Sequence, residues 1–300
     1  MAIKNRTVAV LVTYNRLSLL KEALQHLESQ NIGAPDLIIV DNCSTDGTEE
    51  FIGSLNCDRL IYFKTNKNLG GAGGFNIGVR LAVEKGYENI WLMHDDTMPA
   101  SDALSEFLKA DESLGGDYGY LAGNVLWTDG TPAVMNLPHM LGCDTENPVG
   151  LKRIRSSSFV SMFVKSETVK NVGLPIKEFF IWGDDSEYTM RISKKYPCYL
   201  CEKSVAVHKI KENRGVDIIG ETDRLERYVY DFRNRLYIAK KHGRGFLSVM
   251  KFFWNDIKLT FKILFRAKKK FRKIGVVWKG TLKGLFFNPK IEFVEDTVLS

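Results

Sequence analysis

Short runs of β-branched and apolar residues constrain the fold of this chain more than any other sequence feature. Residues 7–13 form such a run, and 37–40, 60–63 and 90–93 repeat it. Fully apolar runs of this length predict strands that are buried on both faces of a sheet. The segments between them have helical or turn patterns, which predicts parallel strands joined by right-handed crossovers. We therefore expect an α/β protein with a nucleotide-binding type of sheet.

The fourth run ends in two adjacent carboxylates and a histidine, His94, Asp95 and Asp96. Ligands of open α/β sheets bind outside the carboxyl ends of the strands. Acids at this position favour a metal or phosphate site. The alternative is an ordinary surface turn, because Asp and the following Pro99 are common in turns. The remaining motifs favour the site.

The segment 66–78 is rich in glycine, with four glycines at the five positions 70–74. We predict a loop that lets the backbone approach a ligand and exposes the amides of a helix over 74–85. A flexible turn is the alternative, and the spacing matches neither a P-loop nor a dinucleotide fingerprint. A second polar loop, 41–48, follows the strand at 37–40 and suits turn and helix-capping roles.

Aromatic residues lead into three acids, Asp184, Asp185 and Glu187, at the start of a helix predicted over 185–196. Acids are favoured at a helix N-terminus by the helix dipole, so capping alone is one interpretation. In the other, the apolar wall of Phe180 and Trp182 tunes the pKa of a general base. His208, at the end of a strand predicted over 199–207, would add a metal-competent group.

The other predicted elements complete the body of the chain. A strand is predicted over 159–165, and helices over 17–29, 101–112 with Ser101 as its cap, 166–172 and 224–241. Residues 115–158 have scattered Gly, Pro and Asn, so we expect an irregular region that holds an acceptor or a lid.

The C-terminal part has a different composition. Residues 246–287 carry eleven Lys and Arg against one acid, a net charge of +10, whereas the whole chain is only +6. An apolar stripe at helical spacing runs through Met250, Phe253, Trp254, Ile257, Phe261, Leu264 and Phe265. Lys258, Lys262, Arg266, Lys269 and Lys273 follow the opposite side.

This pattern is typical of a helix lying in the plane of a membrane surface, where each basic residue contributes about 1 kcal/mol on anionic lipid. The alternatives are a helix packed on the body with a solvated basic face and, less favoured, nucleic-acid binding. We predict a body over 1–242 and a basic amphipathic region over 243–300. No apolar stretch approaches the roughly 18 residues of a membrane span.

Five cysteines without framework spacing, together with N-terminal residues that lack a signal-peptide pattern, predict a cytoplasmic chain. The pair Cys198 and Cys201 has no second pair to complete a zinc site, so a zinc site is not favoured.

The order of these motifs resembles inverting, nucleotide-sugar-dependent glycosyltransferases of family 2. The resemblance covers about residues 5–240 and rests on VTYNR at 12–16, VDNCSTDGT at 40–48 and NLGGAGGF at 68–75. The third motif is typical of a branch that includes galactofuranosyl- and rhamnosyltransferases. The resemblance implies a GT-A fold, with a Rossmann-like mixed sheet flanked by helices and followed here by the amphipathic tail.

The resemblance also implies roles for individual residues. Binding of the nucleotide sugar is implied for Thr13, Tyr14, Arg16, Asp41, Asn42, Asp46, Asn68, Gly71, Gly73 and Asp95. The acidic triplet of the family reads His94-Asp95-Asp96 here, which implies Asp96, His208 and His94 as candidate ligands of Mn²⁺ or Mg²⁺. Asp185 is implied as the catalytic base, with Asp184 beside it contacting the acceptor.

These roles describe transfer of a sugar to a glycan or lipid-linked acceptor at the inner face of the cell membrane. A divalent metal stabilises the departing diphosphate, and the base takes the proton of the acceptor hydroxyl. We expect galactofuranose from a UDP-sugar first and rhamnose from dTDP-rhamnose second. A remoter alternative is a non-catalytic nucleotide-binding scaffold. An anionic membrane surface is the expected partner, nucleic acid is not, and self-association is compatible with the sequence.

Overall fold

The structure is a computed structural model that describes residues 7–142 and 150–296. Within these residues the chain forms ten β-strands and nine α-helices. The strands are β1 (Thr7–Thr13), β2 (Asp36–Asp41), β3 (Leu60–Lys64), β4 (Asn89–His94), β5 (Thr97–Pro99), β6 (Tyr120–Leu126), β7 (His139–Met140), β8 (Leu151–Ser156), β9 (Met162–Lys165) and β10 (Tyr199–His208). The helices are α1 (Leu17–Glu28), α2 (Thr48–Ser54), α3 (Gly70–Glu84), α4 (Ala103–Ser113), α5 (Ser166–Val172), α6 (Asp184–Ser193), α7 (Tyr228–His242), α8 (Phe246–Arg266) and α9 (Lys270–Phe286).

One mixed sheet contains these strands in the order β3-β2-β1-β4-β9-β6-β10-β8-β7, with β5 paired to β10 off this path. Strands β1 to β4 are parallel to one another, as predicted. Strand β9 is antiparallel to both β4 and β6, and β10 is parallel to β6. It follows that β1, β2, β4 and β10 all point the same way, so their carboxyl ends share one edge of the sheet.

The two faces of the sheet are buried by different helices. Alternate β1 residues, Val8, Val10 and Val12, pack in a cluster with α3, α5 and α6. Ala9 and Leu11 pack on the opposite face with α1, α2 and α4. The result is a three-layer α/β/α arrangement, which confirms the predicted fold class. Burial on both faces also explains why the strands read as continuous apolar runs.

The predicted start of the helix after the glycine-rich segment was wrong. Helix α3 begins at Gly70 instead of at residue 74. A Cβ added to Gly74 would lie 2.4 Å from Val12 Cγ1, and one added to Gly78 would lie 2.4 Å from Val10 Cγ1. Much of the glycine content therefore serves the close approach of α3 to β1, and the first glycines form the first helical turn instead of an open loop.

The prediction of an irregular region over 115–158 was also wrong, although residues 143–149 of it lie outside the described residues. Strands β6 and β8 lie there, and β6 is central in the sheet, between β9 and β10. The run of β6 is interrupted by Gly123, whose added Cβ would lie 2.6 Å from the Ser161 hydroxyl oxygen. Strand β8 has charged residues on its exposed side, which hid its apolar positions in the sequence.

Several element boundaries differ from the prediction. The helix predicted over 224–241 begins only at Tyr228, and the one predicted over 185–196 ends at Ser193. The strand predicted over 159–165 begins only at Met162, because the preceding three residues form a 3-10 turn. Ser101 does not cap α4. Instead the side-chain oxygen of Gln30 accepts the Leu104 N–H at 3.0 Å, so a residue from another element satisfies the start of this helix.

Helices α7, α8 and α9 form a cluster of their own beside the sheet. Helix α9 lies close along α7, because a Cβ at Gly280 would meet Phe232 Cβ and the Val229 carbonyl oxygen at 2.7 Å. Lys273 was predicted on the exposed basic side, and this was wrong: its side chain is buried and donates to the Ile219 carbonyl oxygen at 2.6 Å.

Helix α8 buries neither its predicted apolar stripe nor its basic side. It packs through a third side that carries Phe252, Asp256 and Ile263. Of the predicted stripe, Phe253 packs against this cluster, whereas Trp254 and Phe261 are each 57% exposed and Phe265 is 82% exposed. The apolar stripe is therefore distinct from the side through which α8 packs, and most of the stripe is exposed to solvent.

The end of the described chain returns to the body. Phe287 packs on Phe179 and Tyr237. Glu292 pairs with Arg80 of α3 and with Lys177. The α8–α9 hairpin is therefore tied to the sheet domain at both of its ends. Among residues 7–142 and 150–296, no helix combines the length and apolarity that crossing a membrane requires.

We predict that the Gly280 contact between α7 and α9 contributes measurably to stability. Gly280→Ala should lower the free energy of unfolding by about 1–3 kcal/mol, because its methyl group has no room beside Phe232. The matched control is Gly275→Ala on the same helix, where an added Cβ meets nothing within 4 Å. Chemical denaturation of both variants checks this, and equal stability of the two would contradict it.

Candidate active site

The shared edge of β1, β2, β4 and β10 carries most of the predicted site residues. Two buried carboxylates follow β4 there. Thr13 donates its hydroxyl to Asp95 Oδ2 at 2.8 Å. Nη1 of Arg16 lies 3.2 Å from Asp95 Oδ1 and 2.5 Å from Asp96 Oδ2, so one guanidinium bridges both acids. Ion pairs therefore connect the turn after β1 to the end of β4, in addition to the hydrogen bonds between the two strands.

The two acids have opposite pKa shifts. Burial raises the pKa of Asp95 to about 6, although the Arg16 charge opposes this. Burial would also raise the pKa of Asp96, but the neighbouring His208, His94 and Arg16 side chains hold it well below its usual range. Asp96 is therefore the acid that stays ionised most readily.

His208, at the end of β10, faces Asp96. Its Nε2 lies 3.0 Å from Asp96 Oδ1, and its Nδ1 lies 2.8 Å from the side-chain oxygen of Asn136. A carboxylate oxygen and an imidazole nitrogen at this separation are donors that suit Mn²⁺ or Mg²⁺. Two of the three predicted metal ligands thus meet.

His94 stands apart from this pair. Its ring centroid is 6.1 Å from that of His208 and it packs edge-on against Phe75. Burial lowers the pKa of His94 to about 4, so the ring is neutral at physiological pH. Within the part of the chain that the structure describes, no group of three or more His, Cys, Asp or Glu side chains is arranged to hold a metal.

A cavity of about 530 Å³ opens beside these acids. Eight of the residues predicted to bind the nucleotide or the metal line it: Thr13, Tyr14, Arg16, Asn42, Asn68, Gly71, His94 and Asp95. Asn42 holds the glycine segment in place, because its amide donates to the Gly70 carbonyl oxygen at 2.9 Å. The three loops identified from the sequence therefore enclose one space.

Three predicted nucleotide-binding residues do not line this cavity. Asp41 accepts the Ser44 N–H at 2.8 Å and the Tyr62 hydroxyl at 2.7 Å. Asp46 accepts the Leu17 N–H at 2.8 Å, so it caps α1 from a neighbouring loop. Gly73 is buried, and a Cβ there would lie 2.6 Å from Leu69 Cβ. The contacts seen for these residues are structural, and ligand binding by them stays a prediction.

Two arginines that the sequence reasoning missed also face the cavity. Arg224 and Arg227 lie in the turn before α7 and line the cavity with Arg16. Burial and the charges of Arg224 and Arg16 lower the pKa of Arg227. Among the described residues, neither guanidinium makes a hydrogen bond or an ion pair. Like charges gathered around one space indicate a site for an anion. A signal existed in the sequence, because cations are disfavoured at a helix N-terminus.

A strained backbone segment forms the opposite wall of the cavity. Phe180 and Trp182 both have a φ of 63°, which is uncommon for bulky residues. The buried side-chain amide of Asn234 donates to the carbonyl oxygens of Phe179, Ile181 and Trp182 at 2.8–3.1 Å. Strain of this kind persists only where the surroundings hold it, and it is common at active sites.

The glycine segment touches this wall directly. Gly70 has a φ of +73°, and a Cβ there would lie 2.0 Å from the Phe180 carbonyl oxygen. The Ala72 N–H donates to the same oxygen at 3.2 Å. Glycine is therefore required at position 70 for two reasons, its left-handed backbone and the close approach of a second chain segment.

Asp184 and Asp185 follow the strained segment and begin α6, as predicted. Burial and the adjacent Asp185 charge raise the pKa of Asp184 to about 8. Burial raises the pKa of Asp185 as well, but its side chain is less buried and accepts the Ser186 N–H at 2.6 Å. The pKa of both acids is thus raised by burial, and for Asp185 the contact with the Ser186 N–H opposes that rise. Neither acid lines the 530 Å³ cavity itself.

A larger cavity, of about 690 Å³, lies between α1, α2 and the adjoining strands. Leu24, Leu37 and Phe51 are among its mainly apolar lining, with Glu28 as its one acid. It has neither the paired carboxylates nor the arginines, so the smaller cavity is the candidate active site.

Comparison with known proteins agrees with this geometry. Residues 8–148 match the profile of the family described as "Glycosyl transferase family 2". A curated relative from Mycolicibacterium smegmatis, named galactofuranosyltransferase GlfT1, is 27% identical over 264 residues, which cover 78% of this chain and 83% of the relative.

Solved structures share the fold. The mannosyltransferase PcManGT from Pyrobaculum calidifontis, in complex with GDP-Man and Mn²⁺, matches with a TM-score of 0.56 at 15% identity, over 95% of this chain and 88% of its own. GalNAc-T7, crystallised with UDP, GalNAc and Mn²⁺, matches with a TM-score of 0.57 at 13% identity, over 79% of this chain and 52% of its own.

The mixed α/β fold is the GT-A architecture of these solved glycosyltransferases. The family match and the curated relative support a glycosyltransferase of family 2. The family resemblance seen in the sequence is thereby confirmed.

We predict that Arg224 and Arg227 form an anion site in the cavity. Inorganic pyrophosphate, titrated calorimetrically in metal-free buffer, should bind about tenfold more weakly to Arg224→Gln or Arg227→Gln, because each variant loses a charge-assisted hydrogen bond. Arg59→Gln is the control, since Arg59 pairs with Glu28 beside the other cavity. Unchanged affinity in both cavity variants would contradict the assignment.

Proposed function

We propose that this chain transfers galactofuranose from UDP-galactofuranose, with inversion, to a glycan or lipid-linked acceptor. The observation that carries this proposal is one cavity lined by residues of the three predicted loops together with Asp95, Arg224 and Arg227. Arg16, which also lines it, reaches Asp96, the partner of His208. The choice of sugar is supported by the curated relative named as a galactofuranosyltransferase. Nothing among these observations favours rhamnose or a non-catalytic scaffold.

The donor would bind with its diphosphate between the arginines of the cavity and the pair formed by Asp96 and His208. A divalent metal, Mn²⁺ or Mg²⁺, would be held by Asp96 and His208 and would neutralise charge on the departing diphosphate. Arg224 and Arg227 supply further positive charge to the same group. The part of His94 in metal binding stays a prediction, since its ring lies apart from this pair.

Asp185 then acts on the acceptor. Its carboxylate takes the proton of the acceptor hydroxyl, whose oxygen attacks the anomeric carbon from the face opposite the diphosphate. The bond from the anomeric carbon to the diphosphate oxygen breaks, and its electron pair leaves with the diphosphate. One displacement inverts the configuration, so a single base suffices. Asp184, protonated beside it, can donate a hydrogen bond to the acceptor.

We predict that Asp185→Asn abolishes most transfer while donor binding persists. The amide cannot accept the proton, so the rate should fall by roughly 100- to 10,000-fold. Transfer from UDP-galactofuranose to a synthetic glycan acceptor and UDP affinity by calorimetry are the two measurements. Asp58→Asn, an exposed acid away from the cavity, is the control. Normal transfer by the Asp185 variant would refute the base assignment.

We further propose that α8 and α9 bind an anionic membrane in its plane, at the cytoplasmic face. Both helices pair a buried side with an exposed apolar one: in α9, Phe271 is 84% and Phe286 88% exposed. The indole N–H of Trp278 donates to the Thr260 hydroxyl at 3.2 Å, so α8 and α9 lie side by side. Exposed basic residues flank them: Lys258, Lys262, Arg266, Lys279 and Lys283.

Exposed phenylalanines with lysines beside them fit the surface of a bilayer better than an acidic protein partner. An anionic bilayer offers both an apolar interior for the rings and negatively charged headgroups for the lysines. Apolar surface this large is rarely left open on a monomer in solution.

We predict that Phe261→Ala with Phe265→Ala weakens binding to vesicles of phosphatidylserine and phosphatidylcholine at least about tenfold, because two large apolar side chains no longer insert. Lys258→Gln with Lys262→Gln should weaken binding to these vesicles alone, and not to neutral ones. Co-sedimentation measures both, with Ile32→Ala as control. Unchanged vesicle binding by these variants refutes the proposal. If the natural chain is a dimer without vesicles and the phenylalanine variant is a monomer, the apolar stripe is instead the contact with a second copy of the chain.

A further inference from the structure

We infer that the side-chain amide of Asn136 is the positioning group that orients His208 toward the metal. The inference rests on the proposed function and names a residue outside every motif of the sequence. Asn136 Oδ1 lies 2.8 Å from His208 Nδ1, and Asn136 Nδ2 donates to the Ser158 hydroxyl oxygen at 3.0 Å. The amide therefore has a partner on each side, and its oxygen faces the ring.

This contact determines what the other ring nitrogen offers. With the Nδ1 proton donated to the Asn136 oxygen, Nε2 presents a lone pair, and it does so 3.0 Å from Asp96 Oδ1. A cation held by both groups requires Nε2 without its proton, so the remaining ring proton must lie on Nδ1, which faces the Asn136 oxygen. Metal-ligating histidines generally donate their second N–H to such an oxygen, which fixes the ring and the tautomer.

Asn136 is itself held firmly. It closes a 3-10 turn whose start, Ala133, is buried and donates its N–H to the Val125 carbonyl oxygen of β6 at 3.0 Å. The side chain of Asn213 also anchors the turn, accepting the Val134 N–H at 2.7 Å and donating to the Pro132 carbonyl oxygen at 3.0 Å. A sheet strand and the segment after β10 thus hold the amide in register with His208.

The amide has a further consequence for the site. Asn136 reaches His208 from the segment between β6 and β8, whereas Asp96 reaches it from β4. The histidine is therefore oriented from two directions. Without Asn136 the ring can turn about its Cβ–Cγ bond or carry its proton on Nε2, and either change removes the lone pair from the position beside Asp96.

The test is the affinity for Mn²⁺ itself, measured in the presence of UDP from the electron paramagnetic resonance signal of free Mn²⁺. Asn136→Leu has a similar volume but no acceptor, so the affinity should fall about 10- to 100-fold. Asn136→Asp keeps an oxygen at the same place and should hold Mn²⁺ about as well as the natural chain. Thermal unfolding of each variant verifies that it is folded.

Asn213→Leu is the matched control, because it loosens the same turn without touching His208. Loss of Mn²⁺ affinity in Asn136→Leu, with retention in Asn136→Asp and Asn213→Leu, supports the inference. An equal loss in Asn213→Leu or in Asn136→Asp overturns it, since either result makes the turn and not the amide oxygen responsible. Equal affinity of Asn136→Leu and the natural chain also overturns it, and leaves the proposed function standing. A natural chain that leaves Mn²⁺ free overturns the metal assignment and the inference together.

Discussion

The Asp96 carboxylate is the point on which the active site depends. It is contacted by Arg16 from the turn after β1 and by His208 from the end of β10. These contacts exist only because β1, β4 and β10 point the same way, so that three distant parts of the chain end at one edge. A buried carboxylate beside the Arg16 guanidinium stays ionised, which is the state that a metal ligand would need.

The wall of the cavity formed by residues 179–182 depends on Asn234. Its amide holds the carbonyl oxygens of a segment with two left-handed residues, and that segment closes the cavity on one side and begins α6 on the other. Gly70 admits the Phe180 carbonyl oxygen, so the glycine segment and the acids of α6 are fixed relative to each other. Because α7 carries Asn234 and packs on α9, the region proposed to bind the membrane is built on the same helix that supports this wall of the cavity.

Sequence reasoning succeeded where the residues of a single strand or helix are sufficient to predict its structure. Runs such as 7–13 and 90–93 are apolar because both faces of the strand are buried, so strand and site edge could be predicted together. It failed where contacts with a distant segment determine the bounds of an element or the burial of its residues. Strand β8 shows few apolar residues because one side is exposed, and α3 starts at Gly70 because β1 and Phe180 need its missing side chains. Gln30 replaces Ser101 at the start of α4 for the same reason, since the contact comes from another helix.

By itself the sequence determined the α/β class, the sheet edge with its acids, the loops that line the cavity and the amphipathic character of the tail, because the residues of one local run define each of these. Only the tertiary structure decided which groups meet. It brought Arg224 and Arg227 to the cavity and placed the rings of His94 and His208 with their centroids 6.1 Å apart. It left the stripe of α8 open by burying a different side, and set Asn136 against His208, 72 residues away. Such contacts depend on strand order and on close packing between distant segments, and no local pattern of residues encodes them.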